Sequence, residues 1–290
     1  MGKHDSRYDE VWMCPTCRSE LHAQSNLLCP SCRKSPSQEG RLFDFRSLTP
    51  HLDLGLAKTL AEMHEAIAPK YSDEPESWRV KESLRQIGRL ARRGACLEIG
   101  GANGPMTARL EDFFDVVVSL DHSPAFAQIL RERTQKTICI VGDGLFLPLR
   151  DSCVNFVVCT EVLEHVVVPT QLLLEIRRVL KPDGLLYLTL PHCRASLNPF
   201  RLKCENLLEP SDTHVNFFEL IGIQHLVARC GFEVQQVRTL RDTRGILRHA
   251  WRYPTTLRRL LPAWGDITEL LATPSPAPIP YWQEFVHKHG

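Results

Sequence analysis

The segment that most constrains this chain runs from Cys96 to Gly104 and reads CLEIGGANG. An apolar run that ends in small residues predicts a buried strand followed by a sharp turn. Pro105 fits the first turn of a helix, where its missing N–H is not needed, so we expect the next helix to begin near Gly104. Small residues let a ligand approach the backbone closely, and a helix N-terminus offers N–H groups. The segment therefore predicts a binding site for a polar ligand.

Further apolar runs along the chain are each followed closely by an acidic residue. These runs cover residues 116–120, 137–141 and 154–159. The acids that follow them are Asp121, Asp143 and Glu161. Because helical patterns alternate with the runs, the sequence predicts an α/β fold with a doubly wound, mostly parallel sheet, whose ligand lies at the carboxyl ends of the strands. Together with Glu98, these acids predict one shared site.

Single residues of this set have simpler interpretations. Gly100 and Gly104 alone could form an ordinary strand-to-helix turn. Asp121 followed by Ser123 and Pro124 could cap a helix, although capping and ligand binding do not exclude one another. The ordered set of four acids, each after an apolar strand, favours the binding site.

The spacing of the small residues separates two ligand classes. A dinucleotide fingerprint, G-x-G-x-x-G counted from Gly100, would need glycines at Ala102 and Pro105. The pattern acid-x-G-x-G-x-G fits from Glu98 to Gly104, with Ala102 in place of its second glycine. In this segment the chain resembles the class I S-adenosylmethionine-dependent methyltransferases. Ala102 departs from the family pattern, and its methyl group would narrow the pocket.

That resemblance implies a seven-stranded, Rossmann-like sheet and a set of cofactor contacts. Glu98 suits the cationic end of the cofactor, Asp121 can accept hydrogen bonds from the ribose hydroxyls, and His122 would lie beside the adenine. Asp143 matches the family aspartate that binds the adenine amino group. The predicted cofactor-binding residues are Glu98, Gly100, Gly101, Ala102, Gly104, Asp121, His122, Asp143, Gly144, Leu145 and Glu161.

Two later segments resemble one subgroup of this family more closely. They are 161–165, EVLEH, and 178–184, RVLKPDG. They resemble methyltransferases that act on quinone precursors, sugars and other small metabolites. The resemblance covers about residues 95–240, and it implies transfer of a methyl group to oxygen or nitrogen of a small acceptor.

Methyl transfer depends mainly on alignment, because the sulfonium is already a good electrophile. A base near the acceptor proton helps when the acceptor is a hydroxyl, and histidine titrates in the useful range. We predict His214 as the catalytic histidine and His192, after the fifth strand, as a second candidate. A hydrogen bond to a neighbouring loop is the alternative for His214, whereas His165 is expected to support the cofactor site.

Four cysteines near the N-terminus form two C-x2-C pairs separated by 11 residues: Cys14, Cys17, Cys29 and Cys32. Such pairs place four thiolates around zinc, and a closed tetrathiolate site is structural. Two disulfides would suit a secreted protein, but the first residues do not look like a signal peptide. We therefore expect structural Zn²⁺ and a cytoplasmic chain. The module resembles the N-terminal zinc ribbon of certain bacterial methyltransferases, including one type that modifies ribosomal RNA.

The chain is expected to divide into three parts. Residues 1–47 form the zinc-ribbon module, 48–94 a helical linker or lid, and 95–290 the methyltransferase domain. Within the last part, 241–280 is predicted to be a basic insertion and linker before a final strand at 281–287. The arginines of 241–259 could contact RNA phosphates, an anionic lipid surface or an anionic substrate, or form a solvated helical face.

Composition narrows the function classes. The chain has 35 Lys and Arg against 34 Asp and Glu, which argues against a surface that generally coats nucleic acid. No apolar run approaches the roughly 20 residues that span a bilayer. The leading hypothesis is a small-molecule methyltransferase. RNA methylation and a catalytically degenerate, zinc-dependent binding partner are the alternatives.

Overall fold

A computed structural model describes residues 11–22, 26–50, 55–68, 77–192, 214–240 and 267–276. In this part of the chain the strands are β1 Ser37–Glu39, β2 Leu42–Asp44, β3 Ala95–Ile99, β4 Val116–Asp121, β5 Ile138–Val141, β6 Val154–Thr160, β7 Leu180–Pro191, β8 Phe232–Leu240 and β9 Ile267–Pro274. The α-helices are α1 Gly55–Ile67, α2 Trp78–Leu90, α3 Thr107–Leu110, α4 Pro124–Arg133, α5 Pro169–Val179 and α6 Leu220–Arg229.

The strands form one sheet in the order β1-β2-β5-β4-β3-β6-β7-β9-β8. Strands β2 to β7 pair in parallel, whereas β9 pairs antiparallel with both β7 and β8. After β3 the chain builds outward through β4 and β5, and it then returns to place β6 on the other side of β3. A ligand site is expected at the carboxyl ends of strands where the order reverses in this way. The predicted doubly wound α/β fold is confirmed.

The strand count and the last strand differ from the sequence expectation. The seven predicted strands are present as β3 to β9, and β1 and β2 of the N-terminal module extend the sheet to nine described strands. The strand that lies between β7 and β8 is Ile267–Pro274, which falls in the range predicted to be insertion and linker. The predicted final strand, 281–287, and the arginine-rich stretch 241–259 lie outside the described residues.

Buried polar residues explain why β9 was missed. Glu269 is 1% exposed, and it accepts hydrogen bonds from the Tyr187 hydroxyl at 2.9 Å and from Arg238 Nε at 2.5 Å. Thr268 is also buried, with its hydroxyl 3.2 Å from His192 Nδ1. These partners satisfy the polar side chains inside the sheet. The sequence therefore lacks the apolar run that marks a buried strand.

Helices cover both faces of the sheet. Ile87 of α2 and Leu110 of α3 pack with Val117 and Phe156 in one apolar cluster. The other cluster is larger and contains buried residues of α5 and α6 together with strand residues such as Leu188. Helix α3 begins at Thr107 and spans four residues, so it starts later than the expected position near Gly104. Of the helices that the structure describes, none has the length and apolarity needed to cross a membrane.

The N-terminal module is joined to the sheet and to its core. Strand β2 pairs in parallel with β5, and Phe43 lies opposite Ile140. Trp12 is 2% exposed and stacks on Phe45, with ring centroids 5.4 Å apart. Both aromatic residues belong to the larger core cluster. Loss of order in the module would therefore expose part of the main core.

The helices of residues 48–94 take different positions. The Glu65 carboxylate of α1 accepts hydrogen bonds from the Ser123 hydroxyl and the Ala125 N–H, at the first turn of α4. A carboxylate is favourable at a helix N-terminus. Helix α2 packs on the sheet face through Ile87. Helix α1 therefore lies at the carboxyl edge of the sheet, where the predicted lid would be.

Candidate functional site

The turn after β3 has no space for larger residues at its two adjacent glycines. Gly100 has φ +75°, and a Cβ atom there would lie 2.4 Å from Val162 Cγ2. A Cβ atom on Gly101 would lie 2.2 Å from Ser119 Oγ and 2.6 Å from Leu130 Cδ1. Real Cβ contacts of that length do not occur without displacement. The backbone of the turn therefore lies too close to the side chains of Val162, Ser119 and Leu130 for any residue except glycine at positions 100 and 101.

Ala102 occupies a backbone conformation that normally favours glycine. Its φ is +44°, which costs an L-residue about 1–2 kcal/mol. Its N–H donates to Asp121 Oδ2 at 3.0 Å, and the other oxygen of Asp121 accepts from the Ser123 N–H at 2.9 Å. Asp121, which is 6% exposed, thus connects the glycine turn to the start of α4. Gly104 ends the turn with φ +81°.

Glu98 lies beneath this turn and is 2% exposed. Its Oε2 accepts hydrogen bonds from the Thr107 hydroxyl and, at 2.9 Å, from the Ser119 hydroxyl. Burial raises the pKa of Glu98 to about 7, although both hydroxyls oppose the shift. The carboxyl group therefore gains or loses its proton near neutral pH, beside a turn that could receive a cation.

The turn after β5 brings the next predicted residues to the same edge. Asp143 Oδ1 accepts from the Leu145 N–H at 2.9 Å, which starts the 3-10 turn Gly144–Phe146. Burial raises the pKa of Asp143 above its usual value. The carbonyl of Leu145 accepts from Gln171 Nε2 of α5 at 3.2 Å. Helix α5 thus fixes the position of this turn.

Glu161 follows β6 and has φ +55°, an uncommon conformation for a residue other than glycine. Its Oε2 lies 2.6 Å from Arg79 Nη1 of α2, and its Oε1 accepts from the Thr189 hydroxyl at 3.2 Å. Burial raises the pKa of Glu161, while Arg79 opposes the shift. The ion pair joins α2 to the loop after β6.

Four histidines form a row across this edge. His122 Nε2 lies 3.1 Å from His64 Nδ1, and the two rings are 4.9 Å apart. The His64 ring is 5.2 Å from the His165 ring, which in turn is 4.7 Å from the His214 ring. Burial, followed by the charge of His122, lowers the pKa of His64. The row connects the residue after Asp121 to the loop after β6.

Of the two predicted catalytic histidines, His214 lies in this row and His192 does not. His192 is 1% exposed and contacts Thr268 of β9. No sequence pattern indicated His64, Glu65 and Arg79, which contribute to the edge from α1 and α2. Their helical segments carried no motif, so only their proximity in the fold identifies them.

The four N-terminal cysteines also converge. Cys14 Sγ lies 3.9 Å from Cys32 Sγ, and Cys17 Sγ lies 3.4 Å from Cys29 Sγ. A tetrahedral zinc site with bonds of about 2.3 Å requires sulfur atoms about 3.8 Å apart. The two C-x2-C pairs, which are the two knuckles of the module, therefore have the separation that one zinc ion needs.

Comparison with known proteins agrees with this architecture. The family model described as a methyltransferase domain matches residues 97–188. A probable S-adenosylmethionine-dependent methyltransferase of Mycolicibacterium smegmatis is 31% identical over 201 residues, which cover 68% of this chain and 73% of that protein. The chain therefore belongs to the S-adenosylmethionine-dependent methyltransferases.

Other similarities are more limited. An uncharacterised methyltransferase-like protein of Schizosaccharomyces pombe is 28% identical over 138 residues, so the match spans about half of that protein (52%) and 47% of this chain. A solved complex of the Haloferax volcanii Trm112 methyltransferase activator with a putative methyltransferase contains a chain with the same fold, at TM-score 0.59 and 18% identity. The match covers 76% of this chain and 99% of that one.

Proposed function

We propose that this protein transfers the methyl group of S-adenosylmethionine to an oxygen or nitrogen atom of a small molecule. The observation that carries the proposal is the contact between the glycine turn and Asp121, with the histidine row beginning at the next residue. One edge of the sheet thereby holds residues suited to the donor beside residues suited to an acceptor. Family membership supplies the identity of the donor.

On the donor side, each acid has a separate role. Asp121 accepts the ribose hydroxyls and keeps its contact with the Ala102 N–H. Asp143 binds the adenine amino group, and His122 packs beside the ring. Glu98 favours the cationic end of the cofactor from beneath the turn. The remaining predicted contacts, at Gly100, Gly101, Gly104, Gly144, Leu145 and Glu161, shape the pocket.

On the acceptor side, His214 is the base that accepts the proton lost by the acceptor atom during transfer. Its ring lies next to His165, on the loop that follows β6. Helix α1 covers this region through His64, and the Arg79–Glu161 ion pair bounds it from α2. A covered edge of this kind suits a small acceptor, because a polymer needs an open path. His192, the second candidate, is held by its contact with the Thr268 hydroxyl of β9.

We assign structural Zn²⁺ to Cys14, Cys17, Cys29 and Cys32, whose sulfur atoms lie within 4.8 Å of one another. A closed thiolate site has no open position for substrate, so the metal would stabilise the fold. Thiolates that hold zinc also suit a reducing compartment, which supports a cytoplasmic location.

RNA methylation is the competing proposal, and it depends on the zinc module and on residues 241–259. The arginines of the module whose contacts are described bind protein groups. Arg18 pairs with Glu175, Arg41 donates to carbonyl oxygens near the end of α4, and Arg46 pairs with Asp44. Because these arginines are already paired with protein groups, the module is better suited to packing against the sheet than to binding phosphates.

Calorimetric titration with S-adenosylmethionine tests the donor site. We expect Asp121→Ala to weaken binding by about tenfold or more, since two backbone N–H groups lose their acceptor along with the ribose contact. Asp115→Ala, at an exposed acid just before β4, is the matched control and should bind normally. Equal affinity in both variants would refute the assignment of Asp121.

Transfer of labelled methyl groups to fractions of a cell extract tests the acceptor class. We expect label in small, RNase-resistant products. Loss of the product after RNase treatment would favour RNA methylation. Cofactor binding without any labelled product would favour the degenerate binding partner.

A further inference from the structure

A carboxylate and two imidazoles meet beside the predicted donor site. The ligand atoms of Glu164, His165 and His214 all lie within 4.8 Å of one another. Glu164 and His165 belong to the loop after β6, whereas His214 precedes α6. The group therefore joins two segments that are about 50 residues apart in the chain.

Backbone hydrogen bonds fix the two segments together. The Glu164 carbonyl accepts from the Val215 N–H at 2.8 Å and from the Asn216 N–H at 3.0 Å. The Asn216 side chain donates to the Val166 carbonyl at 2.7 Å. His214 is thus positioned by the residues that follow it, and the arrangement does not depend on a single side-chain contact.

The distances fit a shared ion better than a direct hydrogen bond. His165 Nε2 and Glu164 Oε1 are 3.8 Å apart, which exceeds hydrogen-bond distance. Two donor atoms on one tetrahedral ion with bonds of about 2.1 Å lie about 3.4 Å apart, so a small closure would bring them into place. Glu164 is 2% exposed, and a buried carboxylate is stabilised by a cation.

The geometry points to a divalent metal site formed by Glu164, His165 and His214, separate from the four cysteines. Two imidazoles and one carboxylate suit Zn²⁺, Mn²⁺, Fe²⁺ or Co²⁺. Three protein ligands leave coordination positions open, in contrast to the closed thiolate site. An open position accepts an oxygen or nitrogen atom of a bound molecule.

The histidine row places this site next to the donor. His64 contacts both His165 and His122, and His122 follows Asp121. An acceptor bound to the metal would therefore lie at the same edge of the sheet as a cofactor held at Asp121. The same assignment changes how His214 acts, because it holds the metal that binds the acceptor.

The chemical consequence rests on the proposed function. A metal-bound hydroxyl has a lowered pKa and releases its proton to solvent. The oxygen then attacks the methyl carbon: the O–C bond forms, the S–C bond breaks, and the electron pair stays on sulfur in S-adenosylhomocysteine. The metal is not oxidised or reduced. The acceptor class is thereby narrowed to a small alcohol or phenol that can bind a metal.

Metal stoichiometry tests the site without any measurement of transfer. The full chain is stripped with a chelator under reducing conditions, dialysed against CoCl₂, and analysed for bound metal. We expect two equivalents in the unmodified protein, one in His214→Ala and one in Cys14→Ser. His225→Ala, at an exposed histidine of α6, is the matched control and should retain two. One equivalent in the unmodified protein, or two in His214→Ala, would overturn the proposal.

Absorption spectra provide a second readout if a variant folds poorly. Cobalt bound by thiolates gives an intense charge-transfer band, whereas cobalt on histidine and carboxylate gives weak visible bands. We expect Glu164→Gln, which preserves side-chain volume, to lose the weak bands and keep the intense one. Retention of both sets of bands would contradict the assignment.

Failure of the metal-site proposal can be distinguished from failure of the methyltransferase proposal. If the metal count is as expected but S-adenosylmethionine does not bind, the methyltransferase proposal fails and the metal site stands. If the cofactor binds and the second metal is absent, the metal site fails and the methyltransferase proposal stands.

Discussion

Arg18 and Glu175 connect the first C-x2-C pair to the turn that is predicted to bind adenine. The guanidinium of Arg18 donates to both carboxylate oxygens of Glu175, at 2.7 and 3.1 Å. Glu175 Oε2 also accepts from the Leu147 N–H at 2.9 Å, just after the turn that contains Asp143. Burial would raise the pKa of Glu175, but hydrogen bonds from Arg178 and Arg18 outweigh it and hold the pKa below its usual value.

Arg18→Ala should therefore weaken cofactor binding as well as the fold. We expect a loss of about 1–2 kcal/mol in the free energy of unfolding, because Arg178 still pairs with Glu175. Arg33→Ala is the matched control, since Arg33 follows the second knuckle in the same way but is exposed. Chemical denaturation and calorimetry measure both quantities. If Arg18→Ala and Arg33→Ala changed stability and cofactor affinity equally, the Arg18–Glu175 pair would not connect the module to the cofactor site.

Removal of zinc should lower the stability of the whole described core. Trp12 and Phe45 of the module lie in the same apolar cluster as strand residues such as Leu188. A chelator is therefore expected to lower the midpoint of a single unfolding transition, because apolar surface of the main core becomes exposed. Scanning calorimetry with and without added ZnCl₂ measures this. An early separate transition, with the main one unchanged, would show an independent module.

Gly101→Ala should disrupt the turn after β3. Its Cβ atom would lie 2.2 Å from Ser119 Oγ, so we expect a loss of stability of about 1–3 kcal/mol and of most cofactor affinity. Gly222→Ala is the control, because a Cβ atom on this residue of α6 has nothing within 4 Å. That substitution should raise stability by about 0.5 kcal/mol. Thermal denaturation distinguishes the two, and a tolerated alanine at 101 would refute the geometry of the turn.

Ala102→Gly is not expected to lower stability, in contrast to Gly101→Ala. It relieves the strain of φ +44°, while it adds freedom to the unfolded chain. We expect stability to be unchanged or raised by up to about 1 kcal/mol, with the hydrogen bond from the residue 102 N–H to Asp121 preserved. A stability loss above about 1 kcal/mol would mean that the alanine methyl group contributes packing.

Glu98→Gln should change how stability depends on pH. Burial raises the pKa of Glu98 from 4.5 to about 7, so the folded state binds this proton more tightly than the unfolded state. The contribution to stability is fully present below pH 4.5 and is lost as the pH rises through about 7. A shift of this size corresponds to roughly 3 kcal/mol.

A glutamine side chain at position 98 cannot lose a proton, so the Glu98→Gln variant should lack this component of the pH dependence. Denaturant unfolding between about pH 4.5 and 8 measures the difference between the two proteins. We expect the free energies to diverge in favour of the variant as the pH rises. Parallel curves would show that Glu98 keeps an ordinary pKa in the folded chain.

The sequence predicted features that depend on neighbouring residues along the chain. Alternating apolar strands and helices indicated the α/β fold, because burial imposes a pattern on each element. The residues of the glycine turn indicated a sharp bend, and C-x2-C spacing indicated paired thiolates. Asp121 and Asp143 were placed correctly at strand ends for the same reason: the end of an apolar run marks the end of a strand.

Tertiary structure decided what depends on contacts between distant segments. Strand β9 was missed because its buried Glu269 is satisfied by Tyr187 and Arg238, and no local pattern records those partners. His192 stays a predicted acceptor-side residue, and only the fold shows that its Nδ1 lies 3.2 Å from the Thr268 hydroxyl of β9.

The histidine row and the Arg18–Glu175 pair also bring together residues that are far apart in the sequence. His64, His122, His165 and His214 come from four separate segments, and Arg18 and Glu175 are 157 residues apart. Such pairs form only when the sheet order brings loop ends together, since side-chain contacts act over a few ångströms. The sequence by itself determined the elements and the chemistry at their ends; the fold determined which of those ends share a site.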